Sequence, residues 1–84
     1  MARTHKIILN RLRKFRKQMG FTQMEVAIML GHKCTSQLSR WEEGLAMPSI
    51  INLFKLSVIY GRLPTDLYLD LYLNLKQVLA AKRN

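Results

Sequence analysis

The chain holds one cysteine, two prolines, four glycines and five acidic residues in 84 positions. Each scarcity excludes something. A single cysteine forbids an intramolecular disulfide, so the sequence is not a disulfide scaffold and suits a reducing cytosol. No apolar run reaches the roughly 18 residues that a membrane span needs. At the amino terminus, Asn10, Arg11 and Arg13 interrupt what would be a signal-peptide core. No glycine-rich phosphate loop is present. The shortage of acids is the sharpest feature: 14 lysines and arginines give a net charge of +9 and a sequence pI of about 10.3. Arg3, Lys6, Arg11, Arg13, Lys14, Arg16 and Lys17 all precede the first acid, Glu25. Such a balance favours a polyanionic partner, nucleic acid first and an anionic membrane surface second.

What is present reads as a folded domain. A hydrophobic share of 49% is ordinary for a globular protein. The length allows one domain with a small core, of a size that often gains stability from a partner. Residues 1–6 form a short basic arm. From Ile7 the apolar positions Ile8, Leu12, Phe15 and Met19 recur at helical spacing and predict a first helix, stopped at Gly20. Thr22 and Glu25 form a capping box for a second, short helix with Val26, Ala27 and Leu30 as its buried stripe and Gly31 as its end. After the turn Gly31-His32-Lys33-Cys34, Thr35 or Ser36 caps a third helix with Leu38 and Trp41 inward, ending at Gly44. Ser49 caps a fourth, with Ile50, Leu53, Phe54, Leu56 and Val58 as candidates for burial, ending near Gly61.

The tail is harder to read. Pro64-Thr65-Asp66 is a helix start signal. Leucines at 67, 69, 71, 73 and 75 alternate as in a strand, yet leucine favours helices and Val78, Leu79 and Ala80 continue at helical spacing. The helical reading places Leu67, Leu71, Leu75 and Val78 on one face, with Tyr68, Tyr72 and Leu79 beside it. A helix apolar on several sides needs more cover than one small domain offers, and a dimer supplies it.

The stretch GHKCTSQLSRWEEG, Gly31 to Gly44, concentrates the chemistry. His32 and Cys34 supply at most two metal ligands, without the spaced pairs of a closed zinc site, so no metal is expected. The same two residues in a turn are not a nucleophile with an oriented base, so enzyme activity is not expected either. A short helix, a tight turn and a second helix instead make a helix-turn-helix, whose second helix enters the major groove. Leu38 and Trp41 are its packed side. Thr35, Ser36, Gln37, Ser39 and Arg40 form the rest, and Ser36 and Arg40, four apart, share a face. Small residues allow close approach, and an arginine reaches guanine O6 and N7 or a phosphate.

At this point LRKFRKQMGFTQMEVAIMLG and LSRWEEGLAMPSIINLFKLS, taken in order, resemble the Cro and phage-repressor helix-turn-helix domains, the XRE family. The resemblance rests on Leu12, Phe15 and Arg16 before Gly20, on Thr22-Gln23 opening the second helix, and on Ala27 and Gly31 after it. Leu38-Ser39-Arg40-Trp41-Glu42 then closes at Gly44, and Pro48-Ser49 opens the fourth helix. It covers about residues 7 to 68. It implies an all-α, four- to five-helix lambda-repressor-like domain over 7–68; the extension over 69–84 lies outside the resemblance, and its leucine-rich pattern is what predicts a helix and a dimer contact there. Thr35, Ser36 and Arg40 match base-contacting positions, and Gln37 stands beside them. Gln23 would grip a phosphate, with Thr22, Lys33 and Ser39 as further backbone contacts. Arg16 and Glu42 match a pair that ties the first helix to the third. Gly31 to Leu38 spans seven residues, one more than the commonest family spacing, which would bring Lys33, Cys34 and Gln37 nearer DNA.

The implied function is sequence-specific binding of double-stranded DNA by a bacterial or phage regulator, repressor-like, cytoplasmic or nucleoid, or in the host cytoplasm if phage-encoded. It would act as a homodimer without cofactor or metal. The alternative is a protein-interaction adaptor or antitoxin-like partner that docks through the leucine-rich tail. A third reading puts the basic first helix on a membrane surface; for this chain DNA is expected and membrane is not.

Overall fold

Six helices follow one another in the computed structural model, which describes residues 6–83. They are α1 (Leu12–Gln18), α2 (Gln23–Met29), α3 (Ser36–Glu42), α4 (Ile50–Tyr60), α5 (Pro64–Leu67) and α6 (Leu69–Ala81). The fold is all-α, and no strand occurs among the described residues. Of the basic arm only Lys6 is described; Arg3 and His5 lie outside the described residues. Leu12, Phe15, Val26, Leu30, Leu38, Trp41, Leu56, Tyr60, Leu67 and Tyr68 form one buried cluster. Full burial of a side chain such as Leu12 or Leu38 stabilises by about 1.5–3 kcal/mol.

The first helix begins at Leu12, five residues later than the spacing from Ile7 predicts. Residues 7–11 are a non-helical strap instead. The Ile8 N–H donates to the Gly44 carbonyl and the Arg11 N–H to the Leu67 carbonyl, both at 2.9 Å. The Asn10 amide donates to the Trp41 carbonyl at 3.0 Å, and its Oδ1 accepts from the Leu12 N–H at 3.1 Å. Two β-branched residues and an asparagine that bonds backbone groups locally make helix the poorer choice here. The strap thereby serves carbonyls at the open end of α3, which have no partner within their own helix. Met19, expected on the buried stripe, sits just past α1 and is exposed.

All four glycines adopt positive φ, one beyond each of α1, α2, α3 and α4. At Gly44 the reason is double. Its φ is +78°, and a Cβ there would lie 2.6 Å from the Ile8 carbonyl oxygen and against the Ile7 side chain. The absent side chain is what lets the strap cross the end of α3.

α2 carries the expected capping box: the Glu25 N–H donates to Thr22 Oγ1 at 3.1 Å and the Thr22 N–H to Glu25 Oε1 at 2.8 Å. Ser49 likewise accepts from the Asn52 N–H at the start of α4, at 3.2 Å. At α3 the expectation of a side-chain cap from Thr35 or Ser36 is not met. The Thr35 backbone is near-helical (φ −90°, ψ 1°) rather than extended, and the Ser36 hydroxyl accepts from the Cys34 thiol.

α4 corrects a second expectation. Leu56 and Tyr60 are buried and Leu53 packs against the core, but Ile50, Phe54 and Val58 are exposed, with Ile51 beside them. Helical geometry accounts for the split, because 50, 54 and 58 lie one above another on a stripe turned by about a third of a revolution from that of 53, 56 and 60. The tail is helical, but broken. Pro64 opens α5, the Asp66 carboxylate accepts from the Leu63 N–H at 3.1 Å, and Tyr68 (φ −126°, ψ 43°) interrupts the chain before α6. The break sends Leu67 and Tyr68 into the core, so Leu67 does not share a face with Leu75 and Val78. α6 buries none of its residues, and Leu71 alone packs partly on the core cluster.

Candidate nucleic-acid interface

α2 and α3 are joined by a turn that the chain closes on itself. The Gly31 N–H donates to the Ile28 carbonyl at 2.9 Å and the His32 N–H to the Ala27 carbonyl at 2.8 Å. These bonds satisfy carbonyls left open at the end of α2 and require the left-handed backbone of Gly31, φ +81°. The His32 ring then stands edge-on to Trp41, centroids 5.8 Å apart. His32 thus ties the turn back to α2 through its backbone and across to α3 through its ring.

α3 presents two distinct sides. Leu38, Trp41 and Glu42 are buried; Ser36, Gln37 and Arg40 are exposed; Thr35 and Ser39 are intermediate. Lys33 and Cys34 are exposed in the turn that precedes it. The Cys34 pKa is lowered because the Ser36 hydroxyl, which can also donate, and the Ser36 N–H stabilise the thiolate. Gln37 and Arg40 also border an open notch of about 340 Å³ between α3 and the start of α4, where Ser49 and Asn52 stand opposite them. Asn52 is a residue the sequence reading did not single out, since only the fold brings it beside α3.

Behind this surface lies a buried carboxylate. Glu42, whose side chain is wholly enclosed, accepts from Arg16 Nε at 2.6 Å and Arg16 Nη2 at 3.1 Å. It also accepts from Gln23 Nε2 at 2.9 Å and from Arg13 Nε at 3.3 Å. Arg16 further donates to the Phe21 carbonyl at 2.9 Å. Burial by itself would raise the Glu42 pKa; the hydrogen bonds from Arg16 and Gln23 outweigh it and hold the carboxyl below its ordinary value. Glu42 in turn raises Arg16. One acid thus links α1, α2 and α3. Gln23 is half-buried with its amide turned to Glu42, and Thr22 at the head of α2 is exposed. Sequence reasoning paired Arg16 with Glu42 but gave neither Arg13 nor Asn10 a place in the site; Arg13 lies three residues before Arg16, a helical neighbour, and that spacing was the available signal.

A family model described as helix-turn-helix matches residues 12–67, which takes in α1 to α5. The chain belongs to the lambda-repressor-like helix-turn-helix family. Members of this XRE-type family are DNA-binding transcription regulators, and their partner is double-stranded DNA. No curated protein and no solved structure matches the chain. In this helix-turn-helix protein the matched residues include α2 and α3, consecutive helices joined by the turn at Gly31. Among the described residues no group of three His, Cys, Asp or Glu side chains is placed to hold a metal, and no helix is long and apolar enough to cross a membrane.

Proposed function

We propose that this helix-turn-helix protein is a repressor-like regulator, bacterial or phage in origin, that reads a specific double-stranded DNA site in the cytoplasm or nucleoid. The observation that carries the reading is the division of α3: Leu38, Trp41 and Glu42 fix it to the domain while Ser36, Gln37 and Arg40 are left to solvent. On this reading Thr35, Ser36, Gln37 and Arg40 approach base edges in the major groove. Arg40 has the reach for a bidentate contact to guanine. Thr22, Gln23, Lys33 and Ser39 contact the backbone. The Thr22 oxygen accepts its cap bond yet keeps an O–H to donate, and Gln23 keeps a second amide hydrogen beyond the one given to Glu42. Residues 7–68 serve as the DNA-binding unit and 69–84 as an extension through which two copies pair.

Selection from a random duplex pool at near-physiological salt tests the proposal. A symmetric dimer enriches a two-fold symmetric motif with half-sites about 34 Å apart. Enrichment of no motif contradicts it. One observation favours a second reading, as an adaptor or antitoxin-like protein. α6 runs for 13 residues without burying any of them, and Tyr72, Leu75 and Leu79 stand exposed along it. Binding of a partner protein that survives Arg40→Ala but not Leu75→Asp would favour that reading.

A further inference from the structure

We infer that Arg13 is a DNA-backbone contact, held beside Gln23 by the buried carboxylate of Glu42, so that α1 joins α2 in gripping the same stretch of phosphates. The inference rests on the DNA-binding reading above and adds a residue and an element to it. Arg13 Nε and Gln23 Nε2 donate to one oxygen, Glu42 Oε1, at 3.3 and 2.9 Å. Two donors on one acceptor are immediate neighbours. Arg13 therefore stands with Gln23 where α1, α2 and the end of α3 meet.

Charge accounting gives Arg13 its role. Glu42 is one negative charge facing two guanidinium groups. Arg16, with only 10% of its side chain exposed, takes the shorter bonds and also donates to the Phe21 carbonyl, so its charge is spent inside the domain. Arg13 keeps 49% of its side chain exposed and commits only Nε to Glu42. Among the described residues both of its terminal nitrogens are left over, and so is a full positive charge. A guanidinium fixed by Nε presents its terminal pair as a preset fork, the geometry that matches a phosphate. It also loses less rotamer freedom on binding than a lysine swinging in water. The acid nearest in sequence to Gln23, Glu25, is occupied in the capping box of Thr22.

Salt dependence of binding to a mixed-sequence duplex separates this from a structural role. Each phosphate contact steepens the plot of log K against log salt by about 0.9. Arg13→Gln is expected to make the slope shallower by about 0.9 and to weaken cognate and scrambled duplexes alike. Arg13→Lys keeps the charge and is expected to keep the slope. Lys14→Gln removes the same charge from the exposed neighbour on α1 and is expected to leave the slope unchanged. An unchanged slope in Arg13→Gln, with wild type still binding, overturns the inference alone. An equal loss in Lys14→Gln also overturns it, because the effect is then general charge. A wild-type chain that binds no duplex overturns the DNA-binding reading, and this inference with it. Thermal melts of all three variants show whether the fold survives; a slope that returns to wild type in every correctly folded variant again counts against Arg13.

Discussion

At Glu42 a single enclosed carboxylate accepts from three side chains, two of them on α1 and one on α2. Its pKa is held below the ordinary carboxylate value. Its contribution to stability is therefore present above about pH 4.3 and is lost as pH falls through the lower folded value. In Glu42→Gln that acid limb flattens, and melting temperature followed from neutral to acid pH, wild type against variant, reads the difference. An acid limb of equal steepness in both would show that the pair carries no such linkage. The tyrosines behave in the opposite sense. The hydroxyls of Tyr60 and Tyr68 are buried without a hydrogen-bond partner among the described residues, and burial pushes Tyr60 up and Tyr68 up to about 12. Protonated tyrosine is the form the fold favours, so stability falls as pH rises above about 10, the ordinary tyrosine value. Removing an unsatisfied buried hydroxyl sacrifices no bond. Tyr60→Phe is thus expected to leave the denaturant midpoint unchanged or to raise it, and a clear drop would reveal a partner for that oxygen.

Among the elements, the strap and the glycine it crosses invite the plainest comparison. Gly44 and Gly20 share a φ of +78°, but a Cβ at Gly20 meets open space while one at Gly44 meets the Ile8 backbone. Gly20→Ala carries only the conformational cost, about 1 kcal/mol or somewhat more. Gly44→Ala adds displacement of the strap and is expected to lower stability by a visibly larger amount in urea titration. Equal losses would mean that the strap is not held there. The same elements show what a sequence discloses. Thr22 with Glu25, Ser49, and the glycines after α1, α2 and α3 are local signals, and local geometry obeyed them. The strap was not legible because Ile8 and Leu12 fit a helical spacing, while the bonds that decide against it come from Gly44, Trp41 and Leu67, far along the chain. Ile50, Phe54 and Val58 misled for a related reason. α4 is apolar on more than one side, and composition does not say which side the core takes. Arg16 and Glu42 entered through a family resemblance, whereas the additional bonds from Arg13 and Gln23 needed the fold. In the tail, Leu75 is exposed on α6 where Leu71 is partly packed, so Leu75 is the cleaner probe of pairing. Sedimentation is expected to show a dimer for wild type and a monomer for Leu75→Asp; one mass for both would remove α6 from any interface.

Taken whole, the molecule joins a basic surface to a small rigid unit that presents one helix. With a net charge of +9 it will bind any duplex at low salt, so affinity alone does not separate a reader from a polycation. What separates them is preference between sequences, which phosphates cannot supply. α3 is fixed from behind by Leu38, Trp41 and Glu42, and Arg40 is its one long cation on the exposed side. The most direct measurement compares the affinities of wild type and Arg40→Ala for a selected duplex and a scrambled one at near-physiological salt. A reading α3 predicts that Arg40→Ala loses roughly 1–3 kcal/mol of the preference for the selected duplex while its scrambled-duplex affinity changes less. A preference that survives the substitution intact would contradict the assignment of α3 as the element that reads sequence.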